Sequence, residues 1–304
     1  MKNNPSVHII LLNYNGYKDT IDCIKSLQSI EYPNCKIVVV DNKSTNESEK
    51  HIKEFIKENK FVHFIQTGKN LGFSGGNNVG IEWSLKNGAD YICLLNNDTT
   101  VEPDFLNSLI DEMENNSDIG VSAGKIMYYS KPDTIWSAGG YIDESKCLGY
   151  HYGINCKDSE EYNIKKEVTF LTGCLQLIKT DVIKNIGLYD DSYFLYMEDV
   201  DFCYRARLNG YKIMYIPESK IYHKVSASTG GEQSPMVLYY MTRNVMLFNQ
   251  KFKDTLNNSA KFNIYWKLKM IVDRFRRKDK YKYIEEGLKD HKIGKYGCKV
   301  FEFK

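Results

Sequence analysis

The chain has 304 residues, 42% of them hydrophobic and 26% charged, with a formal net charge of +2. That is an ordinary globular composition with enough length for a substantial core, and it excludes a strongly basic nucleic-acid binder. Residues 261–304 hold 14 Lys+Arg against 6 Asp+Glu, so an acidic body carries a basic tail, a distribution that suits an anionic partner surface.

The first hundred residues alternate strand and helix. Val7–Leu12 is an apolar run broken only by His8, the pattern of a strand buried on both faces of a parallel sheet. Ile21, Ile24, Leu27 and Ile30 recur at helical spacing. Lys36–Val40 reads as a second strand, and Ser44-Thr45-Asn46-Glu47 as a capping box opening a helix with Ile52, Phe55 and Ile56. Val62–Ile65 is a third strand, Gly75–Lys86 a helix and Tyr91–Leu95 a fourth strand. These are βαβ units with a mostly parallel sheet. A helix follows from Pro103 to about Glu114, then strands and loops over 119–178 with a Gly139-Gly140 turn, and a short helix near 180–186. Glu198–Leu208 is a helix closed by Asn209-Gly210, and Ile213–Ile216 a strand stopped by Pro217. Met236–Phe252 and Phe262–Arg277 read as helices.

The eight cysteines include no Cys-x-x-Cys pair, and several lie in apolar runs. Zinc-site spacing is absent and a reducing, cytoplasmic setting is expected. No basic-then-apolar leader and no run of 18 apolar residues occurs, so no spanning helix is expected.

Polar residues cluster at the strand ends: Asn13-Tyr14-Asn15-Gly16 after the first strand, Asp41-Asn42 after the second and Asn96-Asn97-Asp98 after the fourth. Ligands of open α/β sheets bind outside the carboxyl ends of the strands. Asn and Asp also make turns, but three such clusters in register favour a site. Asn70-Leu71-Gly72-Phe73-Ser74-Gly75-Gly76-Asn77 lies between a strand and a helix. Its glycines allow close backbone approach, and the helix start offers N–H groups to an anion. It is not Gly-x-Gly-x-x-Gly and follows the third strand, which disfavours a dinucleotide site. Asp98 puts a carboxylate at a strand tip, suited to a hard divalent cation that also binds substrate phosphates. The carboxylates of Glu198-Asp199-Val200-Asp201 point ~100–200° apart on a helix and cannot converge on one metal. Asp201 is spaced to pair with Arg205.

In this order the motifs resemble family 2 glycosyltransferases, with the bacterial rhamnosyltransferase-like branch most similar. The resemblance rests on Asn13-Tyr14-Asn15, Val40-Asp41-Asn42-x-Ser44, Asn70-x-Gly72-Phe73-x-Gly75-Gly76-Asn77 and Leu95-Asn96-Asn97-Asp98. It continues through Thr172-Gly173-Cys174, Gly187-x-Tyr189-Asp190, Phe194-x-Tyr196-x-Glu198-Asp199-x-Asp201-x-Cys203-x-Arg205 and Ile221-Tyr222-His223. It covers roughly residues 6–250 and implies an α/β GT-A fold, with a nucleotide-binding half over 1–115, an acceptor half over 116–250 and a basic helical extension over 251–304. It implies an inverting enzyme moving sugar from a UDP- or dTDP-sugar, with dTDP-rhamnose preferred, to a hydroxyl of a glycan or lipid-linked acceptor in surface polysaccharide or glycoprotein glycan synthesis.

The resemblance also assigns roles. Asp199 is the general base, with Thr172, Gly173 and Glu198 on the acceptor side. Asn13, Asn15, Asp41, Asn70, Gly72, Gly75, Gly76, Asn77 and Asn97 line the nucleotide-sugar site, with Asp41 on the base. Asp98 and His223 hold Mn2+ or Mg2+. Asn96 stands where many relatives have the first carboxylate of Asp-x-Asp, which weakens the expected metal affinity. Arg243 has two readings, a contact to the diphosphate or a paired structural residue. The Phe262–Lys280 segment mixes aromatic and aliphatic residues with basic ones, and two settings compete for it: an anionic membrane surface, favoured, which would make the protein peripheral at the inner face, or packing on the body or a second subunit. Two other functions compete. A nucleotidyltransferase would place its Gly-rich loop in the first strand–helix connection, which here has only Gly16. A non-catalytic glycan- or nucleotide-binding module is the other.

Overall fold

A computed structural model of the chain describes residues 4–59, 61–225, 234–256 and 259–299. The expected βαβ alternation forms first: β1 (Val7–Asn13), α1 (Tyr17–Leu27), β2 (Cys35–Asp41), α2 (Ser48–Ile56), β3 (Val62–Gln66), α3 (Gly72–Lys86) and β4 (Tyr91–Asn96). β5 (Thr99–Val101) and α4 (Phe105–Asn115) follow. β1 pairs in parallel with β2 and β4, and β2 with β3. Their apolar runs are buried on both faces because helices cover the sheet. His8 within β1 is fully buried, and burial, then Lys36, lowers its pKa to about 4. It enters the core as a neutral ring near Trp83.

The second half adds β6 (Ile119–Tyr128), β7 (Lys131–Ser137), β8 (Gly140–Asp143), β9 (Leu148–His151), β10 (Lys166–Val168), β11 (Leu175–Lys179), α5 (Thr180–Ile186), α6 (Glu198–Leu208) and β12 (Lys212–His223). One sheet runs through both halves in the order β10-β12-β6-β11-β4-β1-β2-β3, with β5 on β12 and β7 on β6. β11 is antiparallel to both β4 and β6, so it joins the first four strands to the later ones. β8 and β9 form a separate hairpin. The chain ends in α7 (Pro235–Lys251), α8 (Ser259–Arg276) and α9 (Tyr281–Lys292).

Two expectations are corrected. Pro217 does not stop β12, which continues to His223 with a register shift on β6 between Tyr215 and Lys220. A bulge absorbs the missing donor, and the continuation is what carries His223 to the site. Ser44–Glu47 does not cap α2, which begins at Ser48 without a side-chain cap. Ser44 is drawn instead to Asp41, its hydroxyl donating at 2.5 Å and its amide at 3.0 Å. The C-terminal helices pack on one another and on the preceding chain. Tyr239 of α7 donates to Asp290 of α9 at 2.7 Å, and the Lys299 amide donates to the Tyr240 hydroxyl at 2.8 Å.

Candidate active site

The tips of β1, β2 and β4 are tied together by their own side chains. Asn13 donates to Asp41 at 2.7 Å and accepts from Thr20 Oγ1 at 2.9 Å. Asn97 donates to Thr20 Oγ1 at 2.8 Å, which links the ends of β1 and β4. Asp41 is fully buried and accepts from Asn13, from the Ser44 hydroxyl and amide, and from Gln66. Four donors fill the acceptor sites of a carboxylate. Asp41, which the resemblance placed on the base, is held at the rim by these four donors. Asn15, exposed and at φ 61, ties this rim to Thr45.

The glycine-rich segment also departs from expectation. The Leu71 amide donates to Asn42 Oδ1 and the Gly72 amide to Asn70 Oδ1, both at 2.9 Å. The Phe73 and Ser74 amides donate to the Phe194 carbonyl at 2.6 and 3.4 Å. The start of α3 thus spends its amides on the protein, not on an anion. The glycines permit close packing. Gly72 sits at φ 72, and a Cβ there would lie 2.2 Å from the Phe194 carbonyl. A Cβ on Gly76 would strike Leu12, and one on Gly75 would crowd Leu71 and Asp191. Asn77 is buried and donates to the Phe73 carbonyl one turn back at 2.9 Å, so it too faces inward. Asn78, which the sequence reading passed over, does the bridging: it donates to the Tyr189 carbonyl and to Asp191, and accepts from the Tyr189 amide.

The loop that meets α3 carries three non-glycine residues at positive φ: Phe194 (63), Tyr196 (68) and Met197 (74). Such backbone is costly and persists only where neighbours enforce it. Arg243 and Asn244 of α7 enforce it here. Arg243 is 1% exposed and donates to the carbonyls of Ser192 (3.0 Å), Tyr193 (2.8 Å) and Gly297 (2.8 Å). Asn244 donates to the carbonyls of Tyr193, Leu195 and Tyr196 at 2.8–2.9 Å. The structural reading of Arg243 replaces the diphosphate reading, because every face of its guanidinium is occupied by protein.

Met197 then opens α6, whose first turn separates three carboxylates by environment. Asp201 is fully buried and paired with Arg205 and Lys251 at 2.6 Å, with the Tyr193 hydroxyl donating at 3.0 Å. Glu198 is 5% exposed, and its Oε2 finds no partner. Burial, then the neighbouring Asp199, raises its pKa well above the ordinary carboxylate value. Asp199 is part-exposed and accepts from the amides of Gly173 (3.0 Å) and Val200 (2.9 Å). Burial raises its pKa, and the Gly173 and Val200 amides oppose that rise.

The sign of the Glu198 shift makes a prediction. Above the unfolded carboxylate value and below the raised folded value, folding takes up a proton at Glu198, so stability falls as pH rises through that window. Glu198→Gln removes the titration. Its melting temperature is expected to exceed that of the wild type by a margin that widens from mildly acidic to alkaline pH. A constant difference across a pH series of thermal melts would show that Glu198 does not titrate this way.

Asp98 and His223 meet at the other side. His223 Nε2 lies 3.1 Å from Asp98 Oδ1, with side-chain exposures of 7% and 13%. Burial opposes a charge on His223, but Cys174 and Asp98 outweigh it and raise its pKa to about 10. Burial also raises the Cys174 thiol pKa, so with no cation bound the carboxylate is the partner that favours the protonated imidazole. Trp136 stands edge-on to His223, with ring centroids 4.6 Å apart, and its other neighbour is His151 of β9.

Three consecutive residues, Thr172-Gly173-Cys174, join the two sides. The Gly173 amide holds Asp199, and the Cys174 carbonyl accepts from the Asn96 amide at 2.9 Å. Adjacent Cα atoms are ~3.8 Å apart, so the carboxylate of α6 and the tip of β4 flank one short segment. Thr172 is nearly buried, its hydroxyl accepting from the Cys174 amide at 3.3 Å.

Residues 8–187, more than half of the chain, match the family described as Glycosyl transferase family 2. The chain belongs to glycosyl transferase family 2. Its family 2 relatives include the dTDP-rhamnosyl transferase RfbF of Shigella flexneri, 25% identical over 260 residues, 82% of this chain and 81% of the relative. The low-salt glycan biosynthesis hexosyltransferase Agl10 of Haloferax volcanii is 30% identical over 210 residues, 66% of this chain and 61% of the relative. A poly-beta-1,6-N-acetyl-D-glucosamine synthase of Staphylococcus epidermidis is 23% identical over 225 residues, 74% of this chain but only 51% of the relative. Among solved structures, GalNAc-T7 with UDP, GalNAc and Mn2+ gives a TM-score of 0.64 at 17% identity, covering 81% of this chain and 48% of that one. The mannosyltransferase PcManGT of Pyrobaculum calidifontis with GDP-Man and Mn2+ gives 0.60 at 11% identity, covering 97% and 89%. The fold is GT-A, and the protein is a glycosyltransferase of glycan or polysaccharide synthesis.

Proposed function

We propose that the protein is an inverting glycosyltransferase that uses Asp199 as general base, with a UDP- or dTDP-sugar as donor and a hydroxyl of a glycan or lipid-linked glycan as acceptor. The observation that carries this is the sorting of the acidic motif. Asp201 is consumed by Arg205 and Lys251, and burial holds Glu198 towards its neutral form. Asp199 alone of the three is part-exposed, and two amides aim it. A direct displacement needs one base beside the attacking hydroxyl. A double displacement needs a second carboxylate as nucleophile, and the motif offers none.

Asp98 and His223 would hold a divalent cation through one carboxylate and, once the cation displaces the proton they share, one imidazole nitrogen, completed by diphosphate oxygens. Among the described residues no group of three His, Cys, Asp or Glu forms a metal cage, which agrees with a cation that arrives with its nucleotide. Bound there, the cation would supply positive charge at the departing diphosphate. Mn2+ suits the nitrogen ligand better than Mg2+, which favours oxygen. dTDP-rhamnose is the preferred donor, supported by the RfbF relationship. The halves 1–115 and 116–250 are read as donor and acceptor sides of one sheet.

The test is thermal melting against a panel of UDP-, dTDP- and GDP-sugars, each with Mn2+ or with EDTA. A ligand that binds only the folded state raises the melting temperature by mass action, by ~2.7 kcal/mol of stability at a hundredfold excess over Kd. One UDP- or dTDP-sugar is expected to raise it in Mn2+ and not in EDTA. Asp98→Ala is expected to abolish that difference. Equal shifts in Mn2+ and EDTA for the wild type would remove the metal from the reading, and a response to GDP-sugars alone would overturn the donor class.

A further inference from the structure

The C-terminal helix α8 has two apolar sides, and the fold uses only one. Phe262 and Trp266 are buried, the Trp266 indole N–H donates to the Lys146 carbonyl at 3.1 Å, and the buried Asp273 pairs with Lys269 and Arg277. At ~100° per residue these positions define one docked face. Ile264, Leu268, Ile271, Val272 and Phe275 repeat at spacings of three and four and lie about 150° away from it. They are 62, 59, 49, 45 and 71% exposed. Five large apolar side chains in one row are not the scattered singles of an ordinary surface.

The polar residues that border this row decide what covers it. Lys267 and Arg274 lie along one flank, with Lys278 just past the end of the helix, Lys261 and Arg276 lie along the other, and all five are exposed. The one acid on the helix itself, Asp273, is on the docked face and already paired. A symmetric contact between two copies would bring these basic flanks against each other. An anionic surface is attracted by both. Lys and Arg stems can also lie along the apolar row while their charges reach phosphate.

We propose that α8 seats this protein on an anionic lipid bilayer, with the Ile264–Phe275 row in the headgroup–acyl boundary and the flanking Lys and Arg on lipid phosphates. No helix among the described residues is long and apolar enough to cross a membrane, so the helix lies in the plane of the interface. It docks on the turn of the β8–β9 hairpin through Lys146, and His151 of the same hairpin packs on Trp136 beside His223. The contact helix and the candidate metal pair therefore belong to one packed unit. The proposal deepens the lipid-linked-acceptor reading given above and rests on it for its biological sense, but not for its test.

The test is co-sedimentation of the full chain with vesicles of phosphatidylcholine alone or with about one third phosphatidylglycerol. The wild type is expected to pellet with the anionic vesicles, and to stay in the supernatant with neutral vesicles or in high salt. Leu268→Ser/Phe275→Ser and Lys267→Glu/Arg274→Glu are each expected to lower the anionic-vesicle partition by at least tenfold. Their melting temperatures and their donor-induced shifts should stay at wild-type values, because all four side chains are exposed. Wild-type protein that ignores anionic vesicles would overturn the proposal. So would double variants that bind as the wild type, or a wild-type dimer in solution that Leu268→Ser/Phe275→Ser converts to monomer. The donor-induced shift reports on the transferase reading separately.

Discussion

Asp199→Asn is expected to lower sugar transfer by about 10²–10⁴-fold, the usual contribution of a positioned general base. The amide keeps the size of the side chain and one oxygen for the Gly173 amide, so fold and donor affinity should hold. The melting-temperature shift with the donor is the control for that. The pH profile adds a second check. Burial raises the Asp199 pKa, and the base must be ionised to accept the acceptor proton. Transfer by the wild type should therefore fall on acidification at a higher pH than for an ordinary carboxylate, and rise to a plateau above it. The residual activity of Asp199→Asn should lack that step. Near-wild-type turnover of the variant would move the base elsewhere, and an unchanged acidic limb would show that the limb belongs to another group.

Arg243→Ala is expected to have the largest effect on stability, about 3–5 kcal/mol, in the range seen when a buried, fully bonded charged residue is truncated. Three carbonyls would lose the Arg243 donor: Ser192 and Tyr193, which lead into the loop that holds Phe194, Tyr196 and Met197 at positive φ, and Gly297 of the C-terminal segment. That loop also caps the start of α3 through the Phe194 carbonyl and sets the start of α6. Loss of transfer should accompany loss of stability. Arg243→Lys separates this role from a diphosphate contact. It keeps the charge but not the forked geometry, so a clamp predicts a clear drop in urea midpoint. A stable Arg243→Lys protein whose only defect is weaker donor binding would restore the diphosphate reading.

The sequence carried the nucleotide-side strands and helices to within a few residues. Apolar runs such as Val7–Leu12 and Lys36–Val40 have one low-energy solution, burial between helices, and that preference is local. The helix α9 was not assigned from the sequence, although Tyr281, Ile284 and Leu288 recur at helical spacing. It packs on α7, where Tyr239 donates to Asp290. The bulge at Pro217 was likewise invisible, because a local rule against proline in strands was overridden by pairing with β6 along both sides of it.

Within the site, composition placed the polar residues at the right ends of the strands but could not say which way each one faces. Asp41, Gly72, Gly75, Gly76 and Asn77 bear the motif, and the structure adds that they pack the rim and loop. Asn42, Asn78 and Asn244, with no assigned role in the sequence reading, hold the connections. By itself the sequence determined the α/β class, the family and the order of the chemical motifs, because these depend on residue type and spacing along the chain. Only the tertiary structure decided that Asp201 is neutralised by Lys251 fifty residues away, that Glu198 is held towards neutrality, and that Asp199 stays part-exposed. Charge state and exposure are set by partners distant in sequence, and three adjacent carboxylates differ only in those partners.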